Sequence, residues 1–446
     1  MKQSTSLRMA GLPLVVAGAL ALGGCDLFGS SKGPPLPGDR SSVLAAETDV
    51  KPDPDAGGGE VRLPRPVVND SWPQSGGFAN FAMHHLELGD NPQIAWTADI
   101  GAGSSSGRQL LTPPVIADGR VFVKDAQGTV SAFEAATGKL IWRKTLEPKE
   151  ARDRDEFGGG LAFYSGRLFV TTGFAVVFSL DPATGEQVWQ ASVSAPVRGA
   201  PTVFQDRVFA ISIDSRLHAL AAADGSSQWD YAALSESAAF MAGTSPSASG
   251  EMVVAPFSSG ELVALRIDNG KQAWNESLIG QRRGPGGPVA AMTDIRSRPV
   301  IDRDRAIAIG SAGQIAAIDL RSGARIWEKQ IAGAQTPWVA GEVVFIVSGN
   351  AEVICLNRED GKIRWVTPLT AYKDEKKRNP ILWAGPVLAG DRLLIAGSTG
   401  ELLAVSPYDG RPLGKIDLRS PVLIAPVIAD RTAYVLTDGG RLIALR

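Results

Sequence analysis

The sequence predicts an all-β fold, an eight-bladed β-propeller of four-stranded antiparallel blades, and three observations support this prediction. A Gly stands four residues before a Trp at six places, each closing a similar unit. Within each unit, short apolar or alternating runs are separated by Gly turns, which indicates a repeat of β-strands. The last unit is incomplete, and one unassigned strand precedes the first unit. The six pairs are Gly138 and Trp142, Gly185 and Trp189, Gly225 and Trp229, Gly270 and Trp274, Gly323 and Trp327, and Gly361 and Trp365.

The first full unit shows the four strands plainly. They are expected at 114–117, at 121–123, at 129–134 and in the run that ends at Trp142. Gly119, Gly128 and Gly138 stand in the turns between these strands, where a tight hairpin needs a residue at positive φ. The unit recurs at 165–189, 201–229, 246–274, 299–327 and 337–365, then at 386–414 with Gly414 in place of Trp, and starts again at 426.

The two ends of the repeat predict how the ring closes. The eighth unit stops at Arg446, after its third strand, and a strand at 93–97 lies ahead of the first unit with Trp96 in the outer position. Pairing the two would complete the eighth blade and cover two exposed sheet edges. We therefore expect a closed propeller over 93–446. A linear solenoid is the alternative for any such repeat.

The outer tryptophans are expected to pack between neighbouring blades and not to stack on a ligand. This structural series comprises Trp96, Trp142, Trp189, Trp229, Trp274, Trp327 and Trp365. Three further tryptophans, Trp72, Trp338 and Trp383, lie outside the series, and the pattern assigns them no place.

Composition agrees with a large β protein and argues against one class of partner. The 446 residues include 44% hydrophobic residues and 50 Gly, as many short strands with turns require. The net charge is −2, with no excess of Lys or Arg along the chain. Nucleic acid is therefore not an expected partner.

The first residues predict a lipoprotein signal peptide over 1–24. Lys2 and Arg8 precede an apolar run, and Leu22-Gly23-Gly24-Cys25 follows it, which resembles the lipobox of bacterial lipoproteins. Cys25 would become the lipidated N-terminus, and its acyl chains would anchor the protein to a membrane. An ordinary secretory signal or a transmembrane helix is the alternative, although the apolar run is short for a span.

Two segments separate the lipidated Cys from the ring. Residues 25–70 are rich in Pro, Gly, Ser and Asp without periodicity, and this composition predicts a disordered tether. Residues 71–92 form a pre-propeller segment that contains His84 and His85.

No pattern of catalytic or metal-binding residues is found in the sequence. The third His, His218, stands alone on an alternating strand, and no pair of His or Cys residues has the spacing of a zinc site. Cys355 has no disulfide partner once Cys25 is acylated, so we expect a buried, unreactive thiol. The chain is therefore predicted to have no catalytic residues, no metal and no cofactor.

The repeat resembles the pyrroloquinoline-quinone (PQQ) type propeller family. Gly128-Thr129-Val130-Ser131-Ala132-Phe133 and Gly260-Glu261-Leu262-Val263-Ala264-Leu265 show its motif, which precedes the Gly and Trp of each unit. Quinoprotein dehydrogenases form one branch of the family, and many have adjacent disulfide-bonded cysteines and a calcium site. The other branch is BamB, a lipoprotein scaffold of the outer-membrane β-barrel assembly machinery. The lipobox and the lack of adjacent cysteines favour the BamB branch.

This resemblance implies a function, a location and partners. The chain would be a non-catalytic scaffold that docks on the POTRA domains of BamA, assists insertion of outer-membrane β-barrels and offers sheet edges to nascent strands. It would lie on the periplasmic face of the outer membrane, although Asp26 resembles an inner-membrane retention signal of enteric bacteria. A PQQ-dependent oxidoreductase or a propeller that binds another envelope ligand remains an alternative, because propellers host many functions.

The partner-binding residues are predicted in the connections between blades. The longest connections run from Trp274 to Pro299 and from Trp365 to Pro386, and elaborated loops on one face of a repeat array often bind partners. The resemblance places an apolar contact at Phe240 and Met241 and an acidic loop at Asp294 and Arg296. Met241 stands where the family has Arg, and Arg296 stands where a second acid is expected. The charged run at 373–378 is interpreted mainly as a solvated loop.

Overall fold

The computed structural model describes residues 50–56, 60–146, 158–233, 243–279, 295–311, 313–376 and 378–446. The regular structure of these residues consists of β-strands alone. The strands form eight separate four-stranded antiparallel sheets. The predicted all-β fold and the number of blades are confirmed.

Seven blades are built from consecutive strands, and the eighth combines the last three strands with the first. The first strand of the chain is β1 (Ile94–Asp99). Blades one and two contain β2 (Val115–Ala117), β3 (Arg120–Lys124), β4 (Thr129–Glu134), β5 (Leu140–Thr145), β6 (Gly160–Tyr164), β7 (Arg167–Thr171), β8 (Val176–Leu180) and β9 (Gln187–Ser192). Blades three and four contain β10 (Thr202–Phe204), β11 (Arg207–Ser212), β12 (Arg216–Ala221), β13 (Ser227–Ala232), β14 (Ser247–Ser249), β15 (Met252–Pro256), β16 (Glu261–Arg266) and β17 (Gln272–Ser277). Blades five and six contain β18 (Val300–Asp302), β19 (Arg305–Ile309), β20 (Ile315–Asp319), β21 (Arg325–Lys329), β22 (Trp338–Ala340), β23 (Val343–Val347), β24 (Glu352–Asn357) and β25 (Ile363–Pro368). Blades seven and eight contain β26 (Trp383–Ala389), β27 (Arg392–Gly397), β28 (Glu401–Val405), β29 (Pro412–Asp417), β30 (Val427–Ala429), β31 (Thr432–Leu436) and β32 (Arg441–Leu445).

The ring closes as the sequence predicts. In the eighth blade β1 pairs antiparallel with β32, and Trp96 lies opposite Ala444. The amide of Gln93 donates to the carbonyl of Arg446 at 2.6 Å, and the amide of Arg446 donates back at 2.9 Å. The first strands of neighbouring blades contact one another, so they line the axis of the ring. The two ends of the repeat thus complete one sheet, and the linear alternative is wrong.

The blades are joined at seams that repeat one arrangement, which Trp189 illustrates. Its indole is 8% exposed, and Nε1 donates to the carbonyl of Ala222 in the next blade at 3.0 Å. Gly225 lies beneath the ring with φ of +76°, and a Cβ there would come within 2.7 Å of Cε3. Opposite Trp189 in the sheet stands a small residue, Ser179. The Gly and the small residue make room for the indole, which explains why both recur from blade to blade.

All seven outer tryptophans occupy this position. Each packs over a Gly of the next blade and lies opposite Ala, Ser or Cys. The missing Trp at Gly414 has a structural reason. The third and fourth strands of blade eight come from the two ends of the ring, so no hairpin joins them and no hairpin Gly lies beside β29. A Cβ on Gly414 would contact nothing within 4 Å.

The predicted tether up to residue 70 is wrong for its described part, residues 50–56 and 60–70. The amide of Asp53 donates to the carbonyl of Ile363 at 2.9 Å, and its carboxylate pairs with Lys329 at 2.9 Å. Val61 is 4% exposed in the hydrophobic core. Backbone and side-chain contacts with the ring thus outweigh the Pro- and Gly-rich composition that predicted disorder.

Residues 69–88, which we call the inner belt, make one complete circuit of the axis. Along the chain, the belt contacts the first strands of blades eight, one, two, three, four, five, six and seven in that order. The residues it meets occupy equivalent positions in every blade except the sixth, where the partner is an indole. The contacts are Asn69 with Ile428, Trp72 with Ile116, Pro73 with Phe163, Gln74 with Val203, Ala79 with Ala248, Asn80 with Ile301, His84 with Trp338, and Leu86 with Leu388.

A glycine turn lets the belt fold inside this space. The backbones of Gln74 and Gly77 exchange hydrogen bonds of 2.9 and 3.0 Å. A Cβ on Gly76 would lie 2.3 Å from Cδ1 of Phe81, and one on Gly77 would lie 2.1 Å from Sδ of Met83. Gly77 also has a φ of +97°. Both positions therefore require Gly, because the apolar side chains of the belt fold back onto them.

Candidate partner-binding faces

The strand connections divide the ring into two faces. In an antiparallel meander, the turns after the first and third strands lie at one end, and those after the second and fourth lie at the other. We call the first end the hairpin face. The second, which has the blade-to-blade connections, is the loop face. The inner belt lies toward the hairpin face, because its partners Ile116, Val203 and Ala248 stand two residues before the first hairpin turn of their blades.

Most of the predicted site residues lie outside the described part of the chain. This applies to Cys25, Phe240, Met241 and Asp294; in the sequence, the last three lie between the last strand of one blade and the first strand of the next. Arg296 is described and half-buried, four residues before β18.

On the loop face, hydrogen bonds hold the residues that lead into the first strands of the blades. The hydroxyl of Thr244 donates to the carbonyl of Ser297 at 3.0 Å, and the Ser297 hydroxyl donates to Ile309 at 2.7 Å. The amide of Arg298 donates to the Thr336 hydroxyl at 3.3 Å. Burial lowers the pKa of Arg298 to about 10, so its guanidinium stays charged at neutral pH. These bonds fix the ends of the connections where they join the first strands.

One connection of the loop face presents an apolar side chain from a rigid base. Leu382 is 58% exposed, whereas its neighbours Ile381 and Trp383 are buried. The indole of Trp383 donates to the carbonyl of Thr370 at 3.0 Å, and the amide of Ile381 donates to Ala371 at 2.9 Å. The two anchored neighbours thus hold Leu382 outward.

Further apolar side chains are exposed on the same face. They come from connections of four blades, and a surface of this composition suits a protein partner. They are Ile213, Ile279, Tyr372 and Leu423. The described residues of the charged run, 373–376 and 378, are largely exposed beside Tyr372, in agreement with a solvated loop.

Two of the three histidines hold the inner belt in place. His85 is 1% exposed; Nδ1 lies 2.8 Å from the carbonyl of Pro64, and Nε2 accepts the amide of Asp391 at 3.1 Å. His84 Nε2 lies 3.5 Å from the carboxylate of Asp302, which pairs with the buried Arg358 at 2.7 Å. These contacts tie the belt to blades five and seven.

The third histidine belongs to a polar cluster near the loop face. Nε2 of His218 lies 3.1 Å from the hydroxyl of Ser194 and 3.0 Å from that of Ser212. The Ser212 hydroxyl also donates to Asp214. Burial lowers the pKa of His218, so the imidazole is neutral in the folded protein at pH 7. Serine hydroxyls satisfy the buried imidazole, and the cluster needs no catalytic role to account for it.

Cys355 fills the small-residue position opposite Trp365 in its blade. Its thiol is free and fully buried, as expected from the sequence, and burial raises its pKa. The described residues contain no group of three or more His, Cys, Asp or Glu side chains that could hold a metal ion. Nor do they contain a helix long and apolar enough to cross a membrane.

A cavity of about 670 Å³ opens on the hairpin face, between the inner belt and the first four blades. Phe78 of the belt lies at this cavity and is 47% exposed, whereas Trp72 and Phe81 of the belt are buried. Phe163 and Phe204 from blades two and three line it together with the carboxylates of Asp70 and Asp118.

The repeat is matched by one protein family model, described as "Outer membrane protein assembly factor BamB". The matched residues are 90–153, 126–367 and 373–446, which include all eight blades. The chain belongs to the BamB family. The inner belt precedes the matched residues, so it is an addition to the part that the family model covers.

Similar proteins agree with membership of the BamB family. The chain is 24% identical over 354 residues to the outer membrane protein assembly factor BamB of Moranella endobia, covering 78% of this chain and 89% of the relative. The BamB of Escherichia coli K12 is 25% identical over 354 residues, with 78% and 87% covered. The BamB of Burkholderia pseudomallei is 26% identical over 353 residues, with 78% and 86% covered.

Solved structures show the fold that the BamB family shares with other proteins. BamB from Moraxella catarrhalis superposes with a TM-score of 0.66 and 15% identity, over 80% of this chain and 99% of that one. Quinohemoprotein alcohol dehydrogenase from Comamonas testosteroni also gives a TM-score of 0.66 with 15% identity, over 84% and 80%. The two scores are equal, so the fold alone does not separate a scaffold from an enzyme.

Sequence reasoning left three tryptophans unassigned, and the structure places each one. Trp72 of the belt stacks on Trp338 of blade six, with ring centroids 6.4 Å apart and an angle of 21°. Trp338 also donates to the carbonyl of His84 at 2.7 Å. Trp383 anchors the connection that presents Leu382. A signal for the belt existed in the aromatic and Gly-rich composition of 72–81, which differs from the polar segment before it.

Proposed function

We propose that this protein is a non-catalytic scaffold of the outer-membrane β-barrel assembly machinery. The observation that carries the proposal is the match of the BamB family model across all eight blades. The relatives that align with most of this chain are named outer membrane protein assembly factor BamB. The oxidoreductase alternative is supported only by the fold, which both branches share.

The partner in this proposal is a POTRA domain of BamA, and the loop face is the docking surface. Leu382 and Ile279 are exposed apolar side chains there. In the sequence, Phe240, Met241 and Asp294 lie between the last strand of one blade and the first strand of the next. Buried apolar side chains at the centre of an interface supply most of its binding energy. The hydrogen bonds of Thr244, Ser297 and Arg298 hold these residues in place, which lowers the cost of ordering them on binding.

The proposed location is the periplasmic face of the outer membrane, through a lipid on Cys25. The lipobox supports the anchor, and the BamB relatives support the membrane. Asp26 leaves an inner-membrane anchor as the competing outcome. Separation of inner and outer membranes by density, with detection of the full chain in each fraction, distinguishes the two.

Affinity purification of the full chain from gently solubilised envelopes tests the function. A C-terminally tagged wild type should recover the barrel-assembly protein. A Leu382→Asp variant and the Phe240→Ala, Met241→Ala, Asp294→Ala triple variant should each recover at least about tenfold less, because a lost apolar anchor costs more than about 1.4 kcal/mol. The matched control is Val188→Asp, since Val188 is 43% exposed on the outer rim. Equal recovery by the wild type and both loop-face variants, or recovery of no assembly protein, contradicts the proposal.

A further inference from the structure

The first strands of the eight blades leave a ring of unpaired backbone edges around the axis. Each first strand pairs with its second strand on one side only, so its other edge faces the channel. A free strand edge is a template for another extended chain. In this protein the inner belt occupies that edge, as the exchange between Trp72 and Ile116 shows. The Trp72 amide donates at 2.8 Å and its carbonyl accepts at 2.9 Å.

Similar recognition recurs around the ring. The side-chain amide of Gln74 donates to the carbonyl of Val203 at 2.7 Å and accepts the Val203 amide at 3.1 Å, as a strand backbone would. Leu86 donates to Leu388 at 3.3 Å and accepts the amide of Gly390 at 2.9 Å. At Trp72 and Leu86 the belt backbone bonds to the strand backbone, as a peptide added to a sheet edge does, whereas the contact at Gln74 requires its amide side chain.

The side chains of the belt define the composition that the site accepts. Large apolar groups point into the ring and are nearly sealed from water. Trp72 and Phe81 are each 3% exposed, Met83 and Leu88 are each 4% exposed, and Leu86 is 1% exposed. The site therefore fits a peptide that turns as the belt does at Gly76 and Gly77 and that has aromatic and aliphatic side chains with few charges.

The belt is separable from the framework that holds it. All eight sheets are complete without any strand from residues 69–88, and the family match begins only at residue 90. We propose that the inner edge of the ring is a binding site for apolar peptides that fold as the belt does, and that residues 69–88 are its resident ligand in cis. This inference does not depend on which partner docks on the loop face.

An outside peptide would compete from the hairpin face. The cavity there lies beside Phe78, whose side chain is half exposed while its belt neighbours are sealed. Competition is weak while the belt stays joined to β1, because a covalent link gives the belt a high effective concentration. Cutting that link should make the site accessible to peptides in solution.

The test uses the full chain with a protease recognition sequence inserted between Asp90 and Asn91, which are exposed. After cleavage, gel filtration measures whether the belt fragment stays with the ring. Anisotropy then follows the exchange of a labelled synthetic peptide of residues 60–90. Peptides with Trp72→Ala or Leu86→Ala should bind about tenfold more weakly or worse. Val68→Ala is the matched control and should bind unchanged, because Val68 is 41% exposed.

Two further peptides test whether the site binds other apolar sequences or only the protein's own segment. One is an unrelated sequence that keeps the apolar spacing and the two glycines of the belt, and the other has its apolar residues replaced by Ser and Lys. The proposal expects the first to displace the labelled peptide and the second to have no effect. Binding of only the protein's own segment overturns the claim of a general site. Unfolding of the ring after the fragment leaves, seen by circular dichroism, overturns the claim that the belt is a ligand.

Discussion

Two outer tryptophans, Trp189 and Trp365, pack alike but differ in hydrogen bonding. Comparing them measures how much one hydrogen bond stabilises the seam between two blades. Trp189 and Trp365 are each 8% exposed. Each ring lies over a Gly, Gly225 or Gly410, whose added Cβ would come within 2.7 Å of Cε3. Trp189 Nε1 donates to the carbonyl of Ala222 at 3.0 Å, whereas Trp365 Nε1 is buried without a hydrogen-bond partner. Substitution of either Trp by Phe removes a similar apolar area, but only Trp189→Phe also removes a hydrogen bond.

The expected difference follows from that hydrogen bond. Trp189→Phe leaves a buried carbonyl unsatisfied, which costs roughly 1–3 kcal/mol, and Trp365→Phe removes an indole N–H that had no partner. Trp189→Phe should therefore lower the free energy of unfolding by about 1–2 kcal/mol more than Trp365→Phe. Val188→Ala, on the exposed neighbour of Trp189, should change it by less than about 0.5 kcal/mol.

Urea unfolding measures these differences, with far-UV circular dichroism and Trp fluorescence followed together. The linear extrapolation is valid only where the two transitions coincide. An equal loss for both Phe variants, or a larger loss for Trp365→Phe, would refute the role assigned to the seam hydrogen bond.

Three further predictions concern buried polar and ionisable groups. Burial lowers the pKa of His218 below its usual 6.5, so the folded state binds this proton less readily than the unfolded chain. Wild type should then lose more stability than His218→Gln as pH falls below about 6.5, by thermal unfolding, and parallel profiles would contradict this. In a Cys25→Ser chain, Cys355 should react with iodoacetamide only after denaturation, because its thiol is sealed and its pKa is raised; rapid native labelling, seen by mass spectrometry, would disprove it. Arg358→Ala should destabilise the protein by about 3–5 kcal/mol in urea, because Asp302 would stay buried with only the His84 imidazole, 3.5 Å away, beside its carboxylate, and a loss below about 1 kcal/mol would count against that role.

The sequence was sufficient to predict the ring because each blade repeats a local requirement. A hairpin Gly at positive φ, such as Gly225, must lie under a Trp of the preceding blade, so the Gly and Trp spacing records a contact between blades. The same contact explains Gly414, where no hairpin is available for a Trp to cover. A repeated structural constraint leaves a repeated sequence pattern, and this made the number of blades and the closure predictable.

The composition of 72–81 sets the inner belt apart from the segment before it, but the path of the belt was not predictable, for the opposite reason. Its hydrogen bonds go to strands of all eight blades, so no local periodicity records them. The segment before it has the composition of a disordered tether, yet Asp53 and Val61 are held by the ring. Among the predicted docking residues only Arg296 is described. The exposed Leu382 went unnoticed because its exposure depends on the anchoring of both neighbours.

The central claim is that the loop face docks on the barrel-assembly machinery, and site-specific photocrosslinking tests it most directly. A photoreactive residue replaces Leu382 on the loop face, Phe78 on the hairpin face or Val188 on the rim, all of which are exposed. The account predicts that only the Leu382 position crosslinks to the barrel-assembly protein in intact envelopes. Crosslinks from Phe78 or Val188 with none from Leu382 would contradict it.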